Sequence, residues 1–421
     1  MVSLLRGTQS RAARPGRRLL IRSSLLFGGA VAGANALTAV TQLVLARLLV
    51  PSEYSLVVTL FVVVTVAGVP LAALQATIAR NVATALVGEG EPGAGAALVG
   101  AWRELGRLSV PLTVLVAAAA VPIAFALNVH RPWPLVATAV VVIASVALTV
   151  VWAGLQGTHR FGILAGGQLA FAAVKLAAAV AAAGVGAGVA GVMGGVAGAT
   201  VATLVVGVLP LLPQLRSASH GKAERQALLT RYSGGAAAAL TLFALLTTLD
   251  VAVARIALPA STAGAYAAAS VVGRGLLLVP TAITTVLFPR VSTLVDKARE
   301  QRHLQAGIAA TAAVGIVATL VLWPAGGTIV RLLFGARYGP AAGWVALLGA
   351  AMTLYGVAFV YLFHTLSVGR HGFWRAALPL AALQVAAFGI WHASGRQLAL
   401  VQIGLAAVLV VAAELYHRRA A

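Results

Sequence analysis

Leu45-Ala46-Arg47-Leu48-Leu49-Val50-Pro51-Ser52-Glu53-Tyr54 closes one long apolar run and opens the next. About half a chain later, Ala254-Arg255-Ile256-Ala257-Leu258-Pro259 does the same, with Tyr266 following. In both places Pro lies four residues after Arg, and a second Pro, Pro70 or Pro280, falls deep in the next run. Gly157-Thr158-His159-Arg160-Phe161 pairs in the same way with Gly369-Arg370-His371-Gly372-Phe373. The offset between the copies stays between 208 and 212. Apolar runs and turns that recur at half the chain length are the mark of a duplicated helical membrane protein.

Composition agrees. Of 421 residues, 61% are hydrophobic and 9% charged, where a soluble chain carries about 25% charged. Runs of eighteen or more apolar residues span roughly 30 Å of hydrocarbon as helices. They hold Gly and Pro and lack the strict alternation of barrel strands. The expected fold is therefore an all-α polytopic membrane protein of twelve spans. These run over 21–48, 55–85, 106–127, 135–156, 162–183, 189–212, 233–257, 264–289, 304–333, 342–367, 376–393 and 398–416.

The net charge of +21 does not point to nucleic acid, because most of the Arg and Lys lie in short connections between apolar runs. With the N-terminus inside, one set of connections collects 22 of the 30 basic residues and the other set six. That asymmetry places both termini in the cytoplasm. It gives a cytoplasmic basic N-terminus (1–20), a six-helix bundle (21–212), a cytoplasmic linker (213–232), a second six-helix bundle (233–416) and a cytoplasmic C-terminus (417–421). With six spans each, the repeats share one orientation, related by a pseudo-twofold axis along the membrane normal. Arg outnumbers Lys 27 to 3, which reads as coding bias of a GC-rich bacterial genome. Arg11, Arg14, Arg17, Arg18 and Arg22 before an apolar stretch mimic a signal peptide. That stretch runs on to Val50, past the length of a signal core, so an uncleaved first helix is expected.

Few polar groups are embedded, and such groups normally face a cavity or a partner helix. Asp250 is the single acid deep in a span. Lys175 and Arg274 are the embedded bases. At about 1.5 Å per residue, all three sit at the middle or in the outer half of the membrane. Asn35, Thr38 and Gln42 share one face of the first span, and Gln168 and Lys175 share one face of the fifth. The repeat pairs Gln42 with Asp250. Two readings stand for this set. In one, the groups line a wet, net positive cavity suited to a phosphate or pyrophosphate. In the other, Asp250 forms a structural ion pair with Lys175 or Arg274, and the span-one residues make interhelical hydrogen bonds. Arg47 and Arg255 are candidate ligands or interfacial anchors. Tyr361 and His364 form either a proton site or gate, or a satisfied interfacial pair. Gly191, Gly194, Gly195 and Gly198 set overlapping GxxxG spacings, a helix-packing signal.

No nucleotide-binding G-x-x-x-x-G-K-[ST] loop, H-E-x-x-H pair or G-x-S-x-G elbow occurs. With the outer connections all short, the chain reads as a transporter rather than an enzyme, without cofactor or resident metal. There are no cysteines, hence no disulfide framework.

With Leu155-Gln156 before the second turn motif, and Leu249-Asp250 through Leu287-Phe288-Pro289-Arg290-Val291-Ser292 in the second half, the chain resembles the polysaccharide-type lipid-linked oligosaccharide flippases. These belong to the multidrug/oligosaccharidyl-lipid/polysaccharide (MOP) exporter superfamily, and the resemblance covers roughly residues 20 to 390. It implies a MATE/MOP-like, V-shaped pair of bundles in the bacterial cytoplasmic membrane. The implied activity turns undecaprenyl-pyrophosphate-linked glycan from inner to outer leaflet by alternating access. The alternatives are a multidrug or small amphipathic exporter on the same fold and a non-transporting cell-envelope scaffold. The implied pyrophosphate contacts are Lys175 and Arg274. Coupling would be to H+, Na+ or the membrane potential. The partners would be the lipid-linked oligosaccharide, membrane lipids and glycan polymerase or glycosyltransferase proteins, around a monomer. The first span departs from the family in lacking an embedded Arg.

Overall fold

The computed structural model describes residues 17–127, 131–218, 231–291, 297–370 and 372–420; the side chains of 17–27, 108–124, 126, 231–233, 285–291 and 419–420 are outside the description. Much of the expected linker, at 219–230, is likewise outside it, as is the N-terminus before Arg17. The described residues are helical, and no strand occurs among them. In the first half lie α1 (Arg17–Leu48), α2 (Pro51–Ala126), α3 (Trp133–Gly157), α4 (Phe161–Gly184) and α5 (Gly188–Val208). A 3-10 turn (Leu209–Leu211) leads into the short α6 (Leu212–Ser217). The second half holds α7 (Arg231–Ala257), α8 (Ala260–Gly275), α9 (Leu278–Val291), α10 (Lys297–Phe334), a 3-10 segment (Ala336–Ala341), α11 (Ala342–Ser367), α12 (Trp374–Ile390) and α13 (Gly395–Ala420).

Among the described residues, ten helices are long and apolar enough to cross a membrane, and Trp374–Ile390 is a shorter apolar helix. Twelve spans were expected. The expected spans 55–85 and 106–127 both lie in α2, whose two helical arms meet at Gly90 (φ 70°, ψ −154°), a backbone conformation open to glycine. Leu127, just past its end, packs with Leu56 and Leu60 near its start, so the chain doubles back at Gly90. The expected span 376–393 is the shorter apolar helix. Expected span 264–289 departs in another way. It is broken between Gly275 and Leu278 into α8 and α9, so that Pro280 sits in the first turn of α9, where its missing N–H costs nothing. Pro70, its counterpart by sequence, lies inside the first arm of α2.

Helix pairs recur between the halves. α1 packs on α4 as α7 packs on α12; α2 packs on α3 as α10 packs on α11; α3 packs on α5 as α11 packs on α13. The backbone also fixes the register of the repeat. After α3, Thr158, His159 and Arg160 donate to the carbonyls of Gly154, Gln156 and Leu155; after α11, Val368, Gly369 and Arg370 donate to those of His364, Leu366 and Thr365. His159 (φ 57°) therefore stands where Gly369 (φ 76°) stands, not opposite His371 as the sequence pairing had it. At the first motif, the Leu49 N–H bonds the Leu45 carbonyl and the Leu258 N–H bonds that of Ala254, an offset of 209. Buried Thr41, and not Gln42, is thus the counterpart of Asp250. A slip of one residue turns a helical side chain by about 100°, so the sequence pairing had rotated Gln42 away from its mate.

Four apolar clusters occur among the described residues; the smallest joins Leu56 and Leu60 to Leu127 and Met193, and the three larger ones divide the molecule. One lies within the first half (Ile78, Val82, Leu98, Val151, Leu155, Leu211). A second lies within the second half (Phe243, Tyr355, Val360, Leu409). The third joins the halves, with Leu45, Leu49, Tyr54, Val58 and Val62 meeting Ala254, Tyr266, Phe334, Tyr338 and Val345. Along α2 the joint cluster reaches Val66, and from Leu71 the apolar contacts belong to the first half's own cluster. The halves are therefore closed on one another at the end carrying Arg47 and Arg255. Beyond it, α2 packs into its own bundle.

Small residues permit the close approaches. A Cβ at Gly264 would lie 2.1 Å from the Pro51 carbonyl oxygen, across the joint. Of the GxxxG pair on α5, a Cβ at Gly195 would come 2.9 Å from the Ala178 carbonyl of α4, whereas Gly194 and Gly198 face open space. Gly264→Ala is expected to overpack the joint by about 1–3 kcal/mol and to lower the melting temperature of the detergent-purified protein. Gly275→Ala, where nothing lies within 4 Å, should leave it unchanged.

Candidate functional site

Asp250, Lys175 and Arg274 do not form one cluster. Asp250 is fully buried in α7 beside the joint. Its Oδ1 accepts from Arg274 Nη2 at 3.2 Å, and its Oδ2 accepts from Tyr266 Oη at 3.0 Å and, at 3.5 Å, from Ser270 Oγ. Arg274, on α8, also donates through Nε to the Thr247 carbonyl at 3.2 Å. The α7–α8 pairing creates this arrangement. Tyr266, Ser270 and Arg274 follow one another at intervals of four, so one face of α8 presents three donors to a single carboxylate. An ion removed from water requires this degree of satisfaction. The pair thus binds α7 to α8, with the carboxylate enclosed.

Lys175 is different. Its Nζ donates to Thr38 Oγ1 at 3.3 Å, between α4 and α1, and stands 5.5 Å from the centroid of the Phe171 ring. Among the described residues it has no carboxylate partner. Thr38 also bonds its own helix, at the Ala34 carbonyl. Asn35 is exposed, and Gln42 and Gln168 are half-buried. The expected span-one face is thereby present, with Thr38 its member in contact with the cation.

In the second half the matching helix pair, α12 on α7, is joined by neutral groups. Gln384 of α12 donates to the Leu246 carbonyl of α7 at 2.8 Å and to Gln402 Oε1 at 3.3 Å. Tyr355 donates to the same Gln402 oxygen at 2.8 Å. Both glutamines are fully buried. Neither was singled out from the sequence, although two glutamines in apolar spans were a readable signal. The two helix pairs differ in charge: a cation joins α4 to α1, an amide joins α12 to α7.

Tyr361 and His364 serve the end of the second half remote from Arg255. Tyr361 Oη donates to Glu414 Oε2 of α13 at 2.6 Å. His364, fully buried, has its Nε2 3.1 Å from Glu300 Oε1 of α10, and its ring meets that of His417 edge-on at 5.2 Å. The two residues tie α11 to different neighbours and are not bonded to each other.

Arg47 and Arg255 lie at the closed end, and each reaches across to the other half. Arg47 Nε donates to the Leu333 carbonyl at 3.0 Å, and its Nη2 to that of Leu332. Arg255 donates to the carbonyl of Ser52 (3.4 Å), to Ser55 Oγ (3.2 Å) and to the carbonyl of Leu127 (3.4 Å). In this conformation both guanidinium groups bond the protein's own helix ends. Among the described residues no group of three or more His, Asp or Glu is placed to hold a metal.

Removing one partner of the Asp250–Arg274 pair leaves an uncompensated buried charge, at a cost of about 3–5 kcal/mol. Asp250→Asn and Arg274→Gln should each depress thermal stability strongly. The double variant should be more stable than Arg274→Gln alone, as thermal melts in detergent would show.

Residues 44–343 match the family model described as polysaccharide biosynthesis protein. No curated protein matches by sequence. Among solved structures, the chain is similar to an inward-facing multidrug resistance MATE family transporter of the MOP superfamily. The TM-score is 0.63 at 16% identity, covering 92% of this chain and 94% of that one. It is similar to the lipid II flippase MurJ in an inward closed conformation, with a TM-score of 0.66 at 12% identity over 94% and 87% of the two chains. It is also similar to the Vibrio cholerae MATE transporter VcmN in the bent form, at 0.54 and 15%, over 96% of each. Such identities speak for the fold, and the family match spans well over half of the chain. This multi-pass membrane protein, built on the fold of the MOP-superfamily transporters, belongs to the polysaccharide biosynthesis protein family.

Proposed function

We propose that the protein carries an undecaprenyl-pyrophosphate-linked glycan from the inner to the outer leaflet of a bacterial cytoplasmic membrane, by alternating access between its two bundles. The observation that carries this reading is Lys175, an embedded ammonium without a carboxylate partner among the described residues, beside the hydroxyl of Thr38. A lysine in hydrocarbon calls for an anion. A pyrophosphate offers charge and several acceptor oxygens, and Asn35, Gln42 and Gln168 add neutral donors nearby in sequence and helix face. Family membership supports a glycan as cargo, and closure of the halves at the Arg47 end supports loading from the opposite, cytoplasmic side. The charge asymmetry of the connections supports an orientation with both termini in the cytoplasm. Arg274 has no part in holding the cargo in this reading, since Asp250 takes its charge. Coupling would be to H+, Na+ or the membrane potential. The chain works as a monomer, with glycosyltransferase or polymerase proteins as neighbours in the pathway.

Export of a small amphipathic molecule is the second reading. It is favoured by the neutralised Asp250–Arg274 pair, which leaves a single net charge where a pyrophosphate would be better served by two.

The test is translocation of a fluorescent, lipid-pyrophosphate-linked glycan by the purified protein in proteoliposomes. Lys175→Ala should slow it about tenfold or more, the worth of one charge-assisted hydrogen bond. Lys175→Arg should retain most of the rate. A wild-type rate in Lys175→Ala would remove the basis for an anionic cargo.

A further inference from the structure

We infer that Arg47 and Arg255 form a reciprocal latch that holds the two halves shut at their outer end. The inference goes beyond the cargo reading and rests only on the two halves moving apart during transport.

Each arginine closes a main-chain problem that the opposite half cannot close alone. The last carbonyls of a helix have no partner within that helix, and in the absence of water such groups are costly. α10 ends at Phe334, and the carbonyls of Leu332 and Leu333 in its final turn accept from Arg47, at the end of α1. α2 ends at Ala126, and the carbonyl of Leu127 just beyond it accepts from Arg255, at the end of α7. By the repeat, α1 and α7 are the first helices of the two halves, and the tips of α2 and α10 belong to their third spans. The first helix of each half thus caps the third span of the other. A guanidinium suits the task, because its fork satisfies more than one carbonyl and its charge favours a helix C-terminus.

The two arms differ. On the Arg47 side the second half answers in kind: Arg337 Nη2 donates to the Arg47 carbonyl at 2.7 Å, and Tyr338 Oη to that of Ala46 at 2.9 Å. These are final-turn carbonyls of α1, so α1 caps α10 and the 3-10 segment that follows α10 caps α1 in return. On the Arg255 side the contacts run from 3.2 to 3.4 Å, and Nε is buried without a hydrogen bond. The Arg47 arm has the more numerous and shorter bonds, mostly between groups that are exposed at the closed end, and the Arg255 arm is the more buried. Opening must break both arms.

The absence of native cysteines allows a direct test. Thr59, one turn deeper than Ser55 on α2 and 1% exposed, is replaced as Thr59→Cys. Ala153, fully buried within the first half's own cluster, is replaced separately as Ala153→Cys to report folding. Labelling of the purified protein by a charged maleimide is then followed. Arg47→Gln with Arg255→Gln should raise the labelling rate at Thr59→Cys at least tenfold and leave Ala153→Cys protected. Arg47→Gln alone should exceed Arg255→Gln alone. An unchanged rate at Thr59→Cys in the double variant overturns the latch. If both reporters rise together in the double variant, the fold is lost, and the single variants decide. A selective rise at Thr59→Cys there supports the latch, and no rise overturns it. The readout is accessibility, so it is independent of which cargo is carried.

Discussion

A backbone carbonyl in hydrocarbon has no water to bond. That constraint makes every described span a helix, and it then moves the difficulty to the helix ends, where carbonyls are left over. In this protein the ends facing the joint are completed by the opposite half. Arg47 and Arg255 supply donors across the joint, and Arg337 and Tyr338 return them. Around these bonds lies the one apolar cluster to which both halves contribute, including the edge-on ring contact of Tyr54 with Tyr338, whose centroids are 5.6 Å apart. The two halves are thus closed on one another at one end and keep separate cores at the other.

The charged residues then sort by what they complete. Asp250, Tyr266, Ser270 and Arg274 satisfy one another and add rigidity to the α7–α8 corner. His364 and Tyr361 tie α11 to α10 and α13. Lys175 completes nothing of this kind, having a hydroxyl and a ring for neighbours. Gln384, joining α12 to α7 in the second half, is enclosed by Leu246 and Gln402. The two halves thus differ in the charge carried between these helix pairs.

Much of this was legible in the sequence. The length and hydropathy of the runs set the helices, and α11 begins and ends where the apolar run 342–367 does. The repeat was legible as well, because duplicated apolar runs keep their spacing even when side chains drift. Its register was not. The motif pairing put Gln42 opposite Asp250 and His159 opposite His371, whereas the turn hydrogen bonds set Thr41 and Gly369 in those places. Residue identity was a poor guide there, since a backbone turn constrains φ and hydrogen bonding more tightly than side-chain type. The two expected spans on either side of Gly90 both fall within α2, as two arms that turn back on one another.

The sequence by itself determined that the chain is a membrane-embedded duplicate with few buried charges, because hydrocarbon admits little else and each embedded polar group is visible against it. Only the tertiary structure decided which of those charges are matched. Asp250 and Arg274 are 24 positions apart and Lys175 and Thr38 are 137 apart, and nothing in such separations distinguishes a closed pair from an open cation. Arg47 and Arg255 carry the point furthest. The motif around them is plain in the sequence, yet their partners are mostly main-chain carbonyls of the other half. A carbonyl belongs to every residue, so sequence cannot mark it. Packing two helix ends against one another selects which carbonyls an arginine will bond.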